Sequence, residues 1–189
     1  MKNKGLIVLG IVILAVGIFI GNLIGSYNKM ITLSENVDSK LAAVDVNLQR
    51  RADLIPNLVA TVKGYTKHEE EVLKALADAR AKLSGATTVE EKANANNELS
   101  NAISRLLVVV EQYPDLKANQ NFIQLSDELA GTENRIAISR KDYNDAAKEY
   151  NTLIRKVPNN IIAALFKFEK KEYFEANEKA NEVPEVSFE

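Results

Sequence analysis

Two polar clusters interrupt otherwise apolar helical patterns, and they hold most of the residues able to do chemistry. The first is Gln49-Arg50-Arg51-Ala52-Asp53, just ahead of Pro56; the second is Glu133 and Arg140, which stand where a three–four spacing calls for buried residues. Arginine and carboxylate groups that meet at partly buried positions form charge-assisted hydrogen bonds, preferably bidentate ones. Counting helical residues from a common level at Met30 and Val157 puts Arg51 opposite Ile136, with Glu133 and Arg140 a turn or two to either side. This register predicts Arg50 or Arg51 paired with Glu133, and Arg140 paired with Asp53 or Asp45. It also sets Gly131 against Pro56, where a glycine lets a bent backbone approach. Two readings of Arg50, Arg51, Asp53, Glu133 and Arg140 stand. One is a structural network that fixes the register of two long helices; the other is an interaction or ligand site, because partly buried charges also gather at functional sites.

Other chemistry is poorly supplied. The 189 residues include no cysteine and one histidine, which excludes disulfides, thiol catalysis and a multi-histidine metal centre within one chain. The histidine, His68, follows Tyr65 where the di-metal bundle motif requires glutamate, so Glu-x-x-His is absent. His68 is also the sole base available to any serine, and no nucleophile motif surrounds it. Glu69-Glu70-Glu71 reads as favourable charge at a helix start rather than a metal site. No glycine-rich phosphate loop occurs, and a net charge of -2 argues against nucleic-acid binding. The expectation is a protein that is not an enzyme, with no catalytic residue, no metal and no cofactor.

The elements that position the clusters are long helices. Beyond the first 28 residues only Gly64, Gly85, Gly131 and four prolines punctuate the chain, and no strand-type alternation persists. Helix one is expected from about Ser26 to Lys63, on the stripe Val37, Leu41, Val44, Leu48, Ala52, Ile55, Val59 and Val62. Pro56 lies within it and should bend it, and Gly64 suits a C-terminal cap. Thr66 with Glu69, and Thr88 with Glu91, read as capping boxes. Helix two then spans about Lys67 to Ser84, with Val72, Leu76, Ala79 and Leu83 inward. Helix three spans about Val89 to Tyr113 and stops at Pro114. Helix four starts after Asn119 and ends near Val157, on the stripe Phe122, Leu125, Leu129, Ile136, Tyr143, Ala147, Tyr150, Ile154 and Val157.

Residues 5–28 include no charge, and a helix rising about 1.5 Å per residue crosses a hydrocarbon core of about 30 Å within that length. The run is too long for a usual cleavable signal and no small-x-small site follows it cleanly, so it reads as an uncleaved single-pass anchor. Lys2 and Lys4 on one side nearly balance Lys29 and Lys40 on the other; their tighter spacing leans towards the N-terminus inside and the rest extracytoplasmic. Gly17, Gly21 and Gly25 recur on one face of the anchor, a ridge on which two membrane helices can pair.

The expected fold is all-α: an N-terminal transmembrane helix (1–28), then an antiparallel up-and-down four-helix bundle with two long helices (29–158). The apolar segment at 159–176 either caps the bundle base or touches the membrane, where Arg155, Lys156, Lys167, Lys170 and Lys171 suit anionic headgroups. An acidic tail (177–189) reads as disordered.

Longer stretches carry a resemblance. Asp45-Val46-Asn47-Leu48-Gln49-Arg50-Arg51-Ala52-Asp53-Leu54-Ile55-Pro56-Asn57-Leu58-Val59 resembles the LemA family of bacterial membrane-anchored proteins. So do Tyr113-Pro114-Asp115-Leu116-Lys117-Ala118-Asn119 and Gly131-Thr132-Glu133-Asn134-Arg135-Ile136. Asp142-Tyr143-Asn144, Tyr150-Asn151 and Tyr173-Phe174-Glu175-Ala176 fit the same pattern, and the resemblance covers roughly residues 26 to 176. It implies an N-terminal membrane helix, an up-and-down helical bundle and no established enzymatic activity. Genes of that family often lie beside those for a membrane metalloprotease or a domain named for phosphatase activity, so the resemblance also implies, by association, an accessory role in envelope maintenance.

Two functions follow from these features. The first is a membrane-anchored, non-catalytic adaptor or scaffold in the bacterial envelope. Its partners would be the lipid bilayer and another envelope membrane protein, or a second copy of itself. The alternative is a membrane-tethered sensor that binds a small ligand in the bundle.

Overall fold

A computed structural model of the chain describes residues 2–66 and 69–175, with side chains from residue 9 onward. His68 and the acidic tail at 177–189 fall outside the described residues. Those described form six α-helices and no strand: α1 (Lys2–Lys63), α2 (Glu70–Gly85), α3 (Val89–Val110), α4 (Pro114–Lys117), α5 (Gln120–Arg155) and α6 (Asn159–Phe166). The membrane segment and helix one are a single 62-residue helix. Ser26-Tyr27-Asn28 has neither a proline nor a β-branched run to stop it. Among the described residues one helix, at the N-terminal end, is long and apolar enough to cross a membrane. Its Leu9–Ile24 side chains are almost all exposed, and Gly17, Gly21 and Gly25 have nothing beside them in the single chain.

The described residues divide into two compact units that share α1 and α5: residues 2–40 with Asp142–Glu172, and Leu41–Lys141 with residues 173–175. In the first unit, the core is Met30 and Val37 of α1, Tyr143, Ala146, Ala147, Tyr150 and Ile154 of α5, and Ile162 and Ala163 of α6. After α6 the chain is extended, and α5 side chains hold its backbone. Asn151 accepts from the Lys171 N–H at 2.9 Å and donates to the Lys171 carbonyl at 2.8 Å, while the Tyr143 hydroxyl donates to the Glu172 carbonyl at 2.9 Å. An amide side chain that satisfies both backbone groups of one residue replaces a missing strand neighbour. Lys171 Nζ reaches Asp38 on α1 at 2.7 Å.

In the second unit, α1 buries Val44, Leu48, Ala52, Ile55, Leu58 and Val62, a three–four stripe that α2 and α3 answer with Leu73, Leu76, Leu99 and Leu106. Each Val, Leu or Ile among them contributes about 1.5–3 kcal/mol when fully buried. Thr88 starts α3 with a capping box. It accepts from the Glu91 N–H at 3.1 Å, and Glu91 accepts from the Thr87 and Thr88 backbone, which holds its carboxyl below the ordinary range. The box expected at Thr66 and Glu69 does not form: the Thr66 hydroxyl donates back to the Val62 carbonyl, and Glu69 accepts from the Tyr113 hydroxyl at 3.0 Å instead. Pro114 opens the single turn α4, Leu116 is buried beneath it, and the Asn119 carboxamide caps α5 by accepting from the Phe122 N–H at 3.1 Å. Asn119 also donates to the Tyr65 hydroxyl at 2.8 Å. The Tyr113–Asn119 stretch thus ties the α3–α5 connection to the chain that enters α2.

Three packing expectations need correction. Leu73 rather than Val72 is the fully buried start of the α2 stripe, and Val157 is 80% exposed rather than the last member of the α5 stripe. The helix ends at Arg155, before Val157 can complete the turn. A side chain at Gly131 would meet only the Arg135 guanidinium of its own helix, so Gly131 is not a point of close backbone approach to Pro56.

Candidate functional site

Helical geometry sorts the first polar cluster. Successive residues turn by about 100°, so Arg51 falls on the buried arc with Leu48, Ala52 and Ile55, while Gln49, Arg50 and Asp53 turn outward. Arg51 is 4% exposed, and the two hydrogens of its Nη1 are shared among three acceptors: Asn96 Oδ1 at 2.6 Å, Ser100 Oγ at 3.0 Å and Glu133 Oε2. Ser100 can accept because its own proton goes to the Asn96 carbonyl at 3.0 Å. One guanidinium therefore joins α1, α3 and α5. The contact with Glu133 runs through a single nitrogen and oxygen, not the bidentate pair expected.

The other expected partners are distributed differently. Arg50 meets Glu128 at 2.9 Å, not Glu133, and Asp53 accepts from Gln49 Nε2 at 2.7 Å on the surface. Asp45 is taken by Lys92 at 2.7 Å. Arg140 therefore pairs with neither Asp45 nor Asp53. Its guanidinium lies over the Phe174 ring at 5.1 Å, a cation–π contact. Arg140 stands two turns from Glu133 on α5, and Lys92 and Gln49 are the nearer partners of Asp45 and Asp53.

Burial lowers the proton affinity of both Arg51 and Arg140; the Glu133 charge opposes this at both, and at Arg140 the Arg51 charge adds to it. Arginine stays ionised regardless, so the site holds two cations near one carboxylate. Its donors outnumber its acceptors. Arg51 Nε, Asn96 Nδ2, and Arg140 Nε and Nη2 are buried without a hydrogen-bond partner. Such an excess of donors suits a water or an anionic group.

A second unusual feature sits one turn from this network. Pro56 has no N–H, so the Ala52 carbonyl lacks its helical donor. Arg80 of α2 supplies it: Nε donates to the Ala52 carbonyl at 3.0 Å. The helix continues through Pro56.

Asn96, Ser100 and Arg80 were not among the sequence candidates. A signal for the first two exists: Asn96 and Ser100 lie four apart, among the small residues Ala93, Ala95 and Ala102, which leave room for a long side chain from another helix. Among the described residues no group of three His, Asp or Glu side chains is placed to hold a metal.

Comparison with known proteins agrees with the resemblance read from these motifs. The LemA family profile matches residues 40–188. Magnetosome protein MamQ 2 of Paramagnetospirillum magneticum is 31% identical over 189 residues, covering 86% of this chain and 70% of the relative. Magnetosome protein MamQ of Magnetospirillum gryphiswaldense is 28% identical, covering 89% and 71%. Protein LemA of Metamycoplasma hominis is 26% identical, covering 88% and 76%. With nearly four-fifths of its length matched by that profile, from just before the Asp45–Val59 motif to the last residues, this chain belongs to the LemA family.

Proposed function

We propose that this protein is a membrane-anchored, non-catalytic helical scaffold that offers the outward face of α1 to another envelope protein, on the extracytoplasmic side. α1, α2, α3 and α5 would make the up-and-down four-helix bundle; the bonds from Arg51 to α3 and α5 and from Arg80 to α1 support that arrangement. The observation that carries the scaffold reading is Val46. It is 68% exposed and sits in an open depression lined by Asp45, Gln49, Arg50, Asp53 and Leu54. The surrounding polar groups are already fixed, by Gln49 on Asp53 and Arg50 on Glu128. An apolar centre inside a preordered polar rim containing arginine resembles the anatomy of an interface, and preordering lowers the entropy lost on docking. The names of the relatives supply no reaction to transfer. The test is a photo-crosslinking residue at Val46 in the full chain, activated in native membranes. The expected result is a protein adduct that Arg50→Glu abolishes; adducts to lipid and to the chain itself alone would overturn the reading.

The orphaned donors around Arg51 and Arg140 favour a second reading, a sensor for a small anion. Full chain in detergent would then gain thermal stability with one of a set of phosphates and carboxylates, and Arg140→Gln would remove the gain. No shift with any of them would dismiss it.

A further inference from the structure

α6 is apolar on two faces, and only one of them is covered. Ile162 and Ala163 are buried in the first unit, whereas Ile161 is 67% exposed, Leu165 73% and Phe166 55%. Ile161 and Leu165 lie one helical turn apart, so the exposed groups form a stripe. The helix is also tied to the end of the membrane segment. Phe166 packs on Tyr27 with ring centres 4.8 Å apart, and Phe168 on the same ring at 5.6 Å. Lys167 makes this possible: its left-handed φ of 58° ends the helix, the Phe168 N–H returns to the Ala163 carbonyl at 2.9 Å, and both aromatic residues then face Tyr27. Further along, the Asn151–Lys171 and Tyr143–Glu172 bonds fix the strap that follows. α6 is thereby held in place in its unit.

Tyr27 stands at the end of the uncharged run, two residues before Lys29. Tyrosine at that position belongs at the boundary between hydrocarbon and headgroups. A helix stacked on Tyr27 must lie at the same level. We propose that α6 is an interfacial helix. Its Ile161–Leu165–Phe166 face is covered by the lipid bilayer that α1 crosses, and exposed Arg155, Lys156 and Lys167 at its two ends meet anionic headgroups. The inference rests on the membrane-anchor part of the reading above and adds a second membrane contact from the far end of the chain. Both sequence readings of this segment then apply, each to one face: Ile162 and Ala163 pack inward, and the exposed stripe enters the interface. The consequence is that α1 cannot rotate freely about its axis in the membrane, because its Tyr27 is packed against Phe166 and Phe168 at the interface.

The chain has no tryptophan, so Leu165→Trp in the full chain gives a single reporter at an exposed position. The protein is reconstituted into phosphatidylcholine vesicles with a minority of phosphatidylglycerol, some of the lipid brominated high or low on the acyl chain. The proposal expects emission at least roughly halved by the high bromines, little affected by the low ones, and shielded from aqueous iodide, as for an apolar face buried to the acyl boundary. Ile161→Trp should behave alike. Iodide quenching without bromine quenching, in protein that floats with the vesicles, overturns the inference and leaves the anchor intact. Shielding from both quenchers that disappears as lipid is added in excess would show a second copy covering the face, which also overturns it. Protein that fails to float overturns the anchor reading itself, and the interfacial helix with it.

Discussion

Arg51 and Glu133 are unequal partners, and the inequality makes a prediction. Arg51 is 4% exposed and Glu133 is 43% exposed. Glu133→Ala strands a guanidinium inside the domain with only neutral acceptors, which costs about 3 kcal/mol or more. Arg51→Met fills the space with apolar atoms and leaves a carboxylate that water can reach, so it should cost about 1–2 kcal/mol, chiefly for the Asn96 and Ser100 oxygens left without their donor. A double-mutant cycle, read by chemical unfolding of the full chain in detergent, should show this order and a coupling of about 1–2 kcal/mol. Equal costs with no coupling would contradict the geometry. At this scale the sequence was legible where the apolar stripe was interrupted. Glu133 paired with Arg50 or Arg51, of which the structure selects Arg51, follows from spacing, because a charge on a buried arc demands a partner at the same height. Asn96 and Ser100 did not, because short polar residues on a helix read as solvent face until a guanidinium from another helix is seen to need them. The partners expected for Arg140 do not hold, because Lys92 and Gln49 lie within reach of Asp45 and Asp53 while the Arg140 guanidinium packs over the Phe174 ring.

Helix ends and breaks depend on neighbours from other elements, which explains which of them could be read in advance. Thr88 and Glu91 complete their capping box within four residues, and it forms as the pattern implies. The identical pattern at Thr66 and Glu69 fails because Tyr113, 44 residues away, takes the glutamate. Pro56 is the same lesson in reverse. A proline within a helix signals a break, but Arg80 of α2 donates to the carbonyl that the proline leaves open. Arg80→Met should therefore destabilise the full chain by about 1–2 kcal/mol, as expected for a carbonyl left without its donor. In a Pro56→Ala background the backbone N–H returns to Ala52, and the Arg80→Met effect should fall to a few tenths of a kcal/mol. Both can be followed by thermal unfolding in detergent. An Arg80→Met cost that is unchanged by Pro56→Ala would show that Arg80 acts through something else. Most of the α1 and α5 stripes was readable because they repeat over many turns; the one-residue shifts from Val59 to Leu58 and from Val72 to Leu73, and the early end of α5, fall near helix ends, where a single turn decides.

At the scale of the molecule, the all-α architecture and the uncharged N-terminal run follow from composition and spacing, because sparse glycine and proline leave few alternatives to long helices. The strap that follows α6 was not readable. It depends on Asn151 and Tyr143 binding backbone groups some 20 and 29 residues away, a pattern without periodicity. Docking of an envelope protein at the exposed Val46 face requires that α1 cross a membrane and carry the rest of the chain to its outer side, whereas the α6 stripe would meet the bilayer on either side. The absence of cysteine allows a direct measurement. Ser84→Cys puts one thiol at an exposed position near the end of α2, and intact cells are treated with a membrane-impermeant maleimide. The account predicts labelling of intact cells equal to that after lysis. Protection until the cells are lysed would contradict it and place the helical domain in the cytoplasm.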